Sequence, residues 1–424
     1  DCKLPIANWR LIADSFISEN FLLLSMDRTY VFLCISCEFK GGAFMRQLKR
    51  LGHTVFLVTS EKNKHEAWPF DDLEEIFFMP EKDGRKWDIN LLISGTAHLF
   101  RSHKIDRVIA LDDYDVWKGA RLREEFQIPG MGETTARHFF DKLSMRIEAR
   151  DAGIPIPGFT ALFNDDTIRQ FLKTSKGPWL AKPRRDAGSL NIRKIADADA
   201  FWQWSEETAD HRHEYLLEEF RPGTICHVDS LNYNDETLFT RSSQYLDAPF
   251  EVAHGGGIFQ SKTMSNKDAL AKKLVALNIK VLATFGLRHG ASHSEYIVRD
   301  GGKEILFLET SARCGGAHLT DMVESASGIS LWTEWANIEH SVLTGKKYHL
   351  PMVDELQAGI IVTLSKFEKP DYEQFTDPEI WWKLNKKYHI GFIFQHKTEK
   401  KIDEMLSKYA TIIREEYSTT VPLK

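Results

Sequence analysis

Residues 292–313 read SHSEYIVRDGGKEILFLETSAR, and this stretch decides the fold. Two apolar segments flank Gly301-Gly302, a dipeptide that favours a tight turn between antiparallel strands. The pattern therefore predicts a β-hairpin with Glu295 on one strand and Glu309 on the other. Antiparallel partners on one face of a sheet come within about 5 Å of each other. Two carboxylates that close are costly unless a cation lies between them, although a surface hairpin with a charge ladder would give the same pattern.

The chemistry of this hairpin points to a phosphate-bearing ligand. Two carboxylates together with phosphate oxygens are the ligands that Mg²⁺ prefers. Arg313 follows the second strand, and a planar guanidinium is suited to a transferring phosphoryl group or an acyl phosphate.

A second basic signal precedes the hairpin in the stretch WLAKPRRDAGS, residues 179–189. The alternation of this strand turns Lys182 inward, and a desolvated ammonium needs an anion. Gly188 and Ser189 follow in a short loop whose backbone N–H groups and hydroxyl are suited to phosphate oxygens. An ordinary hairpin loop is the alternative interpretation.

Two further signals complete the ordered set. Lys142 follows Asp141 at the start of a predicted helix, which leads into the loop GIPIPGF; a lysine there is also common as a solvated side chain. Within LEEFRPG, the residues Glu218, Glu219 and Phe220 end a strand. They could offer an acceptor to an adenine amino group and a backbone N–H to a ring nitrogen, or they could be solvated acids at a strand end.

The N-terminal region shows a different pattern. YVFLCIS at residues 30–36, the Gly41-Gly42 turn, an amphipathic helix and a strand at residues 54–58 predict a βαβ unit with a parallel sheet. A later strand, DRVIAL at residues 106–111, ends in Asp112-Asp113. Those acids fall at the carboxyl edge, where open α/β sheets bind ligands.

Composition excludes several classes of protein. The 424 residues are 42% hydrophobic and 27% charged, with a formal net charge of −6, which indicates a globular protein of two or three domains. The chain has no surplus of basic residues that would indicate nucleic acid or an anionic membrane as a partner. It also has no apolar run long enough for a membrane span. Five scattered cysteines favour reduced thiols and a cytoplasmic protein.

Taken in order, these motifs resemble the ATP-grasp superfamily over about residues 28–345. The resemblance implies an α/β fold in which an N-terminal parallel βαβ pre-ATP-grasp domain precedes a two-lobed ATP-grasp domain. The expected boundaries are an N-terminal extension, native or not, at 1–25; the pre-ATP-grasp domain at 26–130; the ATP-grasp domain at 131–344; and a C-terminal α+β subdomain at 345–424.

The same resemblance assigns roles to residues. The expected ATP contacts are Lys142, Lys182, Gly188, Ser189, Glu218, Glu219 and Phe220. Mg²⁺, or Mn²⁺ in its place, is expected on Glu295, Glu309 and Ser311, with Arg313 as the catalytic residue that stabilises the transition state.

Two positions depart from the family pattern. Ser311 stands where members usually carry an Asn, which weakens one expected metal ligand, although a Ser can still coordinate a metal or position a water. Ile225 stands where a ribose-binding Glu is common, so the ribose contact has no assigned residue.

The local pattern resembles amino-acid and dipeptide ligases most. We therefore expect a carboxylate–amine ligase that works through an acyl phosphate on small-molecule carboxylate and amine substrates, with His254, Gly256 and His293 as candidate substrate contacts and a homodimer as the candidate assembly. One alternative is a biotin-carboxylase-like enzyme, but Ala317 stands where those enzymes carry a Glu. The other is a non-catalytic ATP-binding module, which would need neither the paired carboxylates nor the arginine.

Overall fold

A computed structural model of the chain describes residues 28–81, 87–188, 191–247 and 257–419. Ser189, His254 and Gly256, with the whole of the expected extension at 1–25, lie outside these residues.

The N-terminal region is a four-stranded parallel sheet in the order β3-β2-β1-β4, which confirms the predicted βαβ unit. Its strands are β1 (Val31–Ser36), β2 (Thr54–Ser60), β3 (Glu75–Met79) and β4 (Arg107–Ala110). Its helices are α1 (Gly42–Arg50), α2 (Ile89–Leu99) and α3 (Val116–Glu125).

Strand β1 is apolar without alternation because both faces of the sheet are covered, and Phe32, Leu33 and Cys34 are fully buried. The turn into α1 needs a glycine at position 41. Gly41 has a φ of 80°, and a Cβ there would lie 2.5 Å from Leu111 Cδ1.

A second, smaller sheet is antiparallel, with the order β5-β8-β6-β7. Its strands are β5 (Phe159–Ala161), β6 (Trp179–Pro183), β7 (Arg193–Ile195) and β8 (Tyr215–Glu219). Helices α4 (Glu133–Ala136) and α5 (Lys142–Asp151) precede this sheet in the chain, and α6 (Asp165–Thr174) and α7 (Ala198–Thr208) pack on it. Strand β6 pairs with β7, the strand that follows it in the chain.

The third sheet has eight antiparallel strands in the order β13-β12-β9-β10-β11-β14-β16-β15. Its strands are β9 (Thr224–Tyr233), β10 (Glu236–Tyr245), β11 (Phe259–Thr263), β12 (Gly290–Arg299), β13 (Glu304–Ser311), β14 (Gln357–Leu364), β15 (Ile380–Lys383) and β16 (His389–His396). Its helices are α8 (Ala269–Phe285), α9 (Leu319–Ser327), α10 (Leu331–Thr344) and α11 (Glu399–Ile412), the last extended by a π-helical turn at Ile413–Tyr417.

Strands β14, β15 and β16 hydrogen-bond into the same sheet as the hairpin of β12 and β13. The expected boundary at residue 345 therefore falls between α10 and β14, within the span of one continuous sheet. Among the described residues, no helix is both long and apolar enough to cross a membrane, and the four cysteines in them are free and buried.

Candidate active site

A cavity of about 240 Å³ lies where the three sheets approach each other. It gathers seven of the predicted site residues from four separate segments: Lys142, Gly188, His293, Glu295, Glu309, Ser311 and Arg313. Lys182 and the strand of Glu218 lie behind its wall and are not among its lining residues. The sequence prediction thus separates into residues that line the cavity and residues that support it.

The two hairpin carboxylates are direct register partners. Glu295 on β12 pairs with Glu309 on β13, and a bulge follows Glu295. Glu309 Oε2 lies 3.0 Å from the ammonium nitrogen of Lys142, whereas Glu295 Oε1 accepts a hydrogen bond of 2.9 Å from the Tyr245 hydroxyl. The cation beside Glu309 is therefore Lys142, and the two carboxylates are held by different partners.

This donor set fits a magnesium ion by its chemistry. Glu295, Glu309 and Ser311 offer oxygen ligands only, and all three line the same cavity. Mg²⁺ takes carboxylate oxygens together with substrate phosphates and water, and the nearby Lys142 ammonium is suited to the same phosphates.

Lys142 is aimed at the cavity by the start of α5. The Asp141 side chain caps this helix by accepting from the backbone N–H groups of Leu143 and Ser144. The Lys142 ammonium donates 2.6 Å to the carbonyl of Asp186 in the loop after β6. Burial alone would lower the pKa of Lys142, but the Glu309 carboxylate outweighs it and raises that pKa. The side chain is therefore a fixed positive charge.

Lys182 and Glu218 form a buried cluster with Arg146, a residue that the sequence analysis missed. Glu218 Oε2 accepts hydrogen bonds of 3.0 and 2.8 Å from Nε and Nη2 of Arg146. Its Oε1 pairs with the Lys182 ammonium. The expected adenine contact through the Glu218 carboxylate is therefore replaced by two cations. Arg146 also donates to the Leu308 carbonyl, so the cluster ties β8 to the residue before Glu309.

The electrostatics of Glu218 follow from these contacts. Burial alone would raise the pKa of Glu218, but Arg146 and Lys182 outweigh it and lower the pKa to about 2. A carboxyl group whose pKa is lowered on folding stabilises the fold above its unfolded pKa, and that stability is lost as the pH falls through the folded value.

We expect Glu218→Gln to destabilise the protein by about 3–5 kcal/mol at neutral pH, because it leaves two buried cations without their carboxylate. The deficit should shrink as the pH falls from about 4.5 towards about 2, since the wild-type carboxylate then protonates as well. Urea unfolding across this range measures both effects, with Glu206→Gln on exposed α7 as the control. A pH-independent deficit would contradict the electrostatic account.

The backbone N–H groups of Glu219 and Phe220, where β8 ends, are also hydrogen-bonded within the protein. The Glu219 N–H donates 2.8 Å to the Gly158 carbonyl, and the Phe220 N–H donates 3.0 Å to the Pro178 carbonyl. The Lys194 ammonium lies 4.5 Å from the centre of the Phe220 ring. Both of these backbone N–H groups, one of which was expected for an adenine ring nitrogen, therefore bond to carbonyls of the protein itself.

Arg313 joins the N-terminal sheet to the hairpin. Its Nη2 pairs with Asp113, which follows β4, and its Nη1 donates 2.8 Å to the Cys314 carbonyl. Burial would raise the pKa of Asp113, but Arg313 outweighs it, so the pKa of Asp113 lies well below its usual range. Asp113 was visible in the sequence as an acid at the carboxyl end of a strand, but its partner was not.

His293 is held by a buried carboxylate. Asp229 Oδ1 lies 2.9 Å from Nδ1 of His293, and Asp229 Oδ2 lies 2.9 Å from Nδ1 of His227. Burial would lower the pKa of His293, but Asp229 outweighs it and raises the pKa to about 9. The positively charged form of His293, with both ring nitrogens protonated, is therefore favoured at neutral pH. Its Nε2 lies 3.5 Å from Glu295 Oε1.

No protein-family model matches the chain. A curated relative, the L-arginine-specific L-amino acid ligase of Bacillus subtilis, is 25% identical over 319 residues, which span 73% of this chain and 74% of that protein.

Solved structures share the fold. The L-amino acid ligase from Bacillus licheniformis has a TM-score of 0.71 and 16% identity, with 93% of this chain and 99% of that chain covered. A biotin carboxylase from Campylobacter jejuni has a TM-score of 0.65 and 14% identity, with 93% of each chain covered. These likenesses confirm the predicted fold class, and because the reactions named differ, the fold by itself does not choose between them.

Proposed function

We propose that this chain, a member of the ATP-grasp superfamily, is an ATP-dependent ligase that joins a carboxylate to an amine. The observation that carries the proposal is the pairing of Glu295 with Glu309 in one cavity with Lys142 and Arg313. Two acids and two fixed cations around one space are suited to a polyanion bound with a metal ion. The amino-acid ligase of Bacillus subtilis supports amino acids as the substrate class.

The finer proposal is an acyl-phosphate mechanism. A carboxylate does not react with an amine at neutral pH, because the leaving group would be oxide. Transfer of the γ-phosphoryl group of ATP makes that oxygen a good leaving group, and the amine then attacks the acyl carbon through a tetrahedral oxyanion. The products are ADP, phosphate and an amide.

Each cavity residue has a place in this scheme. Lys142, fixed by Asp186 and Glu309, holds phosphate oxygens. Glu295 and Glu309, with Ser311, would hold Mg²⁺, which supplies positive charge at the transferring phosphoryl group. Arg313 stabilises the charge that develops there and then on the acyl oxygen.

Two alternatives are less well supported. For a biotin-carboxylase-like reaction, the residue after Gly316 would be expected to be an acid that serves bicarbonate, and it is Ala317. A non-catalytic ATP-binding module would not require an arginine that is anchored in the cavity, as Arg313 is by Asp113 and the Cys314 carbonyl. A cytoplasmic location and a homodimer stay predictions from the sequence.

The test is positional isotope labelling over a panel of amino acids. Oxygen from an ¹⁸O-labelled carboxylate is expected in inorganic phosphate, with ATP cleavage that depends on the carboxylate. Label in AMP, or ATP cleavage without a carboxylate, would contradict the acyl-phosphate mechanism.

Lys182→Ala is expected to weaken ATP binding about ten- to hundredfold, because it removes a charge-assisted contact worth about 1.5–3 kcal/mol. In the nucleotide-free protein the Lys182 ammonium forms an ion pair with Glu218. Equilibrium dialysis with labelled ATP measures the change, and Lys173→Ala on the exposed face of α6 is the matched control. Unchanged affinity in a folded Lys182→Ala protein would contradict the assignment.

A further inference from the structure

A second and larger cavity, of about 420 Å³, lies between the N-terminal sheet and α10. Three arginines and one carboxylate line it: Arg107 on β4, Arg123 on α3, Arg288 after α8, and Glu339 on α10. None of these residues belongs to the candidate active site. Its size is within the range of small-molecule sites.

The positive charge of this cavity is incompletely balanced. Arg288 is exposed and pairs with Asp235 at 3.2 Å, so it lies at the mouth. Deeper inside, Arg107 Nε is 3.4 Å from Glu339 Oε2, and both side chains are nearly buried. Glu339 also accepts 3.2 Å from the Trp335 indole. Of the described residues that line the cavity, Glu339 is the one carboxylate, and it pairs with Arg107 and not with Arg123.

Arg123 is the unbalanced member. Its Nε and Nη1 each donate 2.7 Å to main-chain carbonyls, those of Met131 and Val108. Within the described residues, no carboxylate lies within 4.0 Å of its guanidinium nitrogens. Burial is the main reason that the pKa of Arg123 falls to about 10; Glu339 and Glu124 oppose this shift and Arg107 adds to it. A desolvated cation beside a cavity is stabilised by an anion.

The remaining walls are mainly apolar, with Thr135 and His289 as their polar side chains. Ile109, Leu287, Trp335 and Val342 line the same space. An inorganic anion would satisfy the arginines and leave these walls uncovered, whereas an organic acid would cover both. Guanidinium groups bind carboxylates through paired, charge-assisted hydrogen bonds.

We propose that this cavity binds a small organic carboxylate, with the anion at Arg107 and Arg123 and the apolar part against Trp335 and Val342. The proposal concerns a site separate from the one assigned to ATP, and it goes beyond the proposed ligase reaction.

The second cavity borders two segments that also carry residues of the candidate active site. Ala312 lines the second cavity, while Ser311 and Arg313 on either side of it line the first. Ala110 lines the second cavity as well, and Asp113, the partner of Arg313, follows three residues later. The wall of the second cavity therefore includes residues from both segments that meet in the Asp113–Arg313 ion pair.

Isothermal titration calorimetry with the full chain tests the site. The probes are butyrate, its neutral analogue butyramide, and inorganic phosphate at constant ionic strength. We expect butyrate to bind more tightly than phosphate and butyramide not to bind. Arg107→Gln should weaken butyrate binding about tenfold or more through loss of a charged contact, and Arg313→Lys should leave it within about twofold.

A second variant keeps the proposal testable if Arg107→Gln does not fold. Val342→Phe fills the apolar part of the cavity and keeps both arginines, so it should also reduce butyrate binding about tenfold. Crystals soaked with 4-bromobutyrate should show bromine beside Trp335. The proposal is overturned if butyrate does not bind the wild-type chain, if phosphate binds as tightly, or if Arg313→Lys abolishes binding that both cavity variants keep.

Discussion

Arg313→Lys is expected to lower kcat about a hundred- to thousandfold, the range found when one donor to a developing negative charge is removed. The ATP Kd should change much less, because lysine keeps the positive charge. The structure adds a reason for the large effect. The guanidinium reaches the Asp113 carboxylate and the Cys314 carbonyl with different nitrogens, and an ammonium on a flexible stem does not keep that planar orientation.

A companion variant separates chemistry from assembly. Asp113→Asn removes the ionic partner of Arg313 and leaves the guanidinium in place. If Arg313 acts on the reacting groups, Asp113→Asn should lower kcat clearly less than Arg313→Lys does. Arg299→Lys, on the same hairpin and paired with Glu304, is the control. Equal losses in the two variants would mean that Arg313 only joins the domains.

The parts of the site that the sequence predicted are those fixed by short-range structure. Glu295 and Glu309 flank one glycine turn, so the sequence predicts that they lie near each other on a hairpin. The register that starts from Arg299 and Glu304 would put Glu295 opposite Leu308, and the bulge next to Glu295 is what pairs it with Glu309. Lys142 was predicted to follow Asp141 at the start of a helix, and the structure has α5 begin there with Asp141 as its cap. In both cases a few neighbouring residues decide the position of the side chain.

The missed parts depend on contacts between distant segments. Arg313 and Asp113 are 200 residues apart, and Arg146 and Glu218 are 72 apart. Local periodicity says which face of an element is buried but not which side chain of another sheet meets it. Glu218 was therefore expected to face adenine, although two cations surround it. Arg146 could have been suspected, since it lies one helical turn after Lys142 on the same face.

The same long-range contacts change what is expected of Glu309. From the sequence, two paired carboxylates repel each other, and neutralising one should relieve the fold. In the structure, Lys142 lies 3.0 Å from Glu309, so the repulsion is already compensated. Loss of the Glu309 charge therefore costs Lys142 its ionic partner. Because the Glu309 side chain is 31% exposed, the pair contributes about 0–1 kcal/mol.

Glu309→Gln is consequently expected to reduce turnover about a thousandfold or more, since a metal ligand contributes several kcal/mol to charge stabilisation. Stability without nucleotide should change by about 1 kcal/mol or less. The rise in Tm on adding ATP with Mg²⁺ should shrink as well, because that rise reports binding to the folded state. Steady-state phosphate release and thermal unfolding measure these quantities.

The matched control is Glu304→Gln, at the other end of the same strand, where Glu304 pairs with Arg221 and Arg299 far from the cavity lining. It should alter stability by a similar small amount and leave turnover intact, because the carboxylate that it removes from the hairpin is not one of the proposed metal ligands. A Glu309→Gln protein that keeps a tenth or more of wild-type turnover would remove Glu309 from the metal site. If the nucleotide-free Glu309→Gln protein instead loses several kcal/mol of unfolding free energy, Glu309 is a structural residue. The partly exposed ion pair with Lys142 cannot account for a loss of that size.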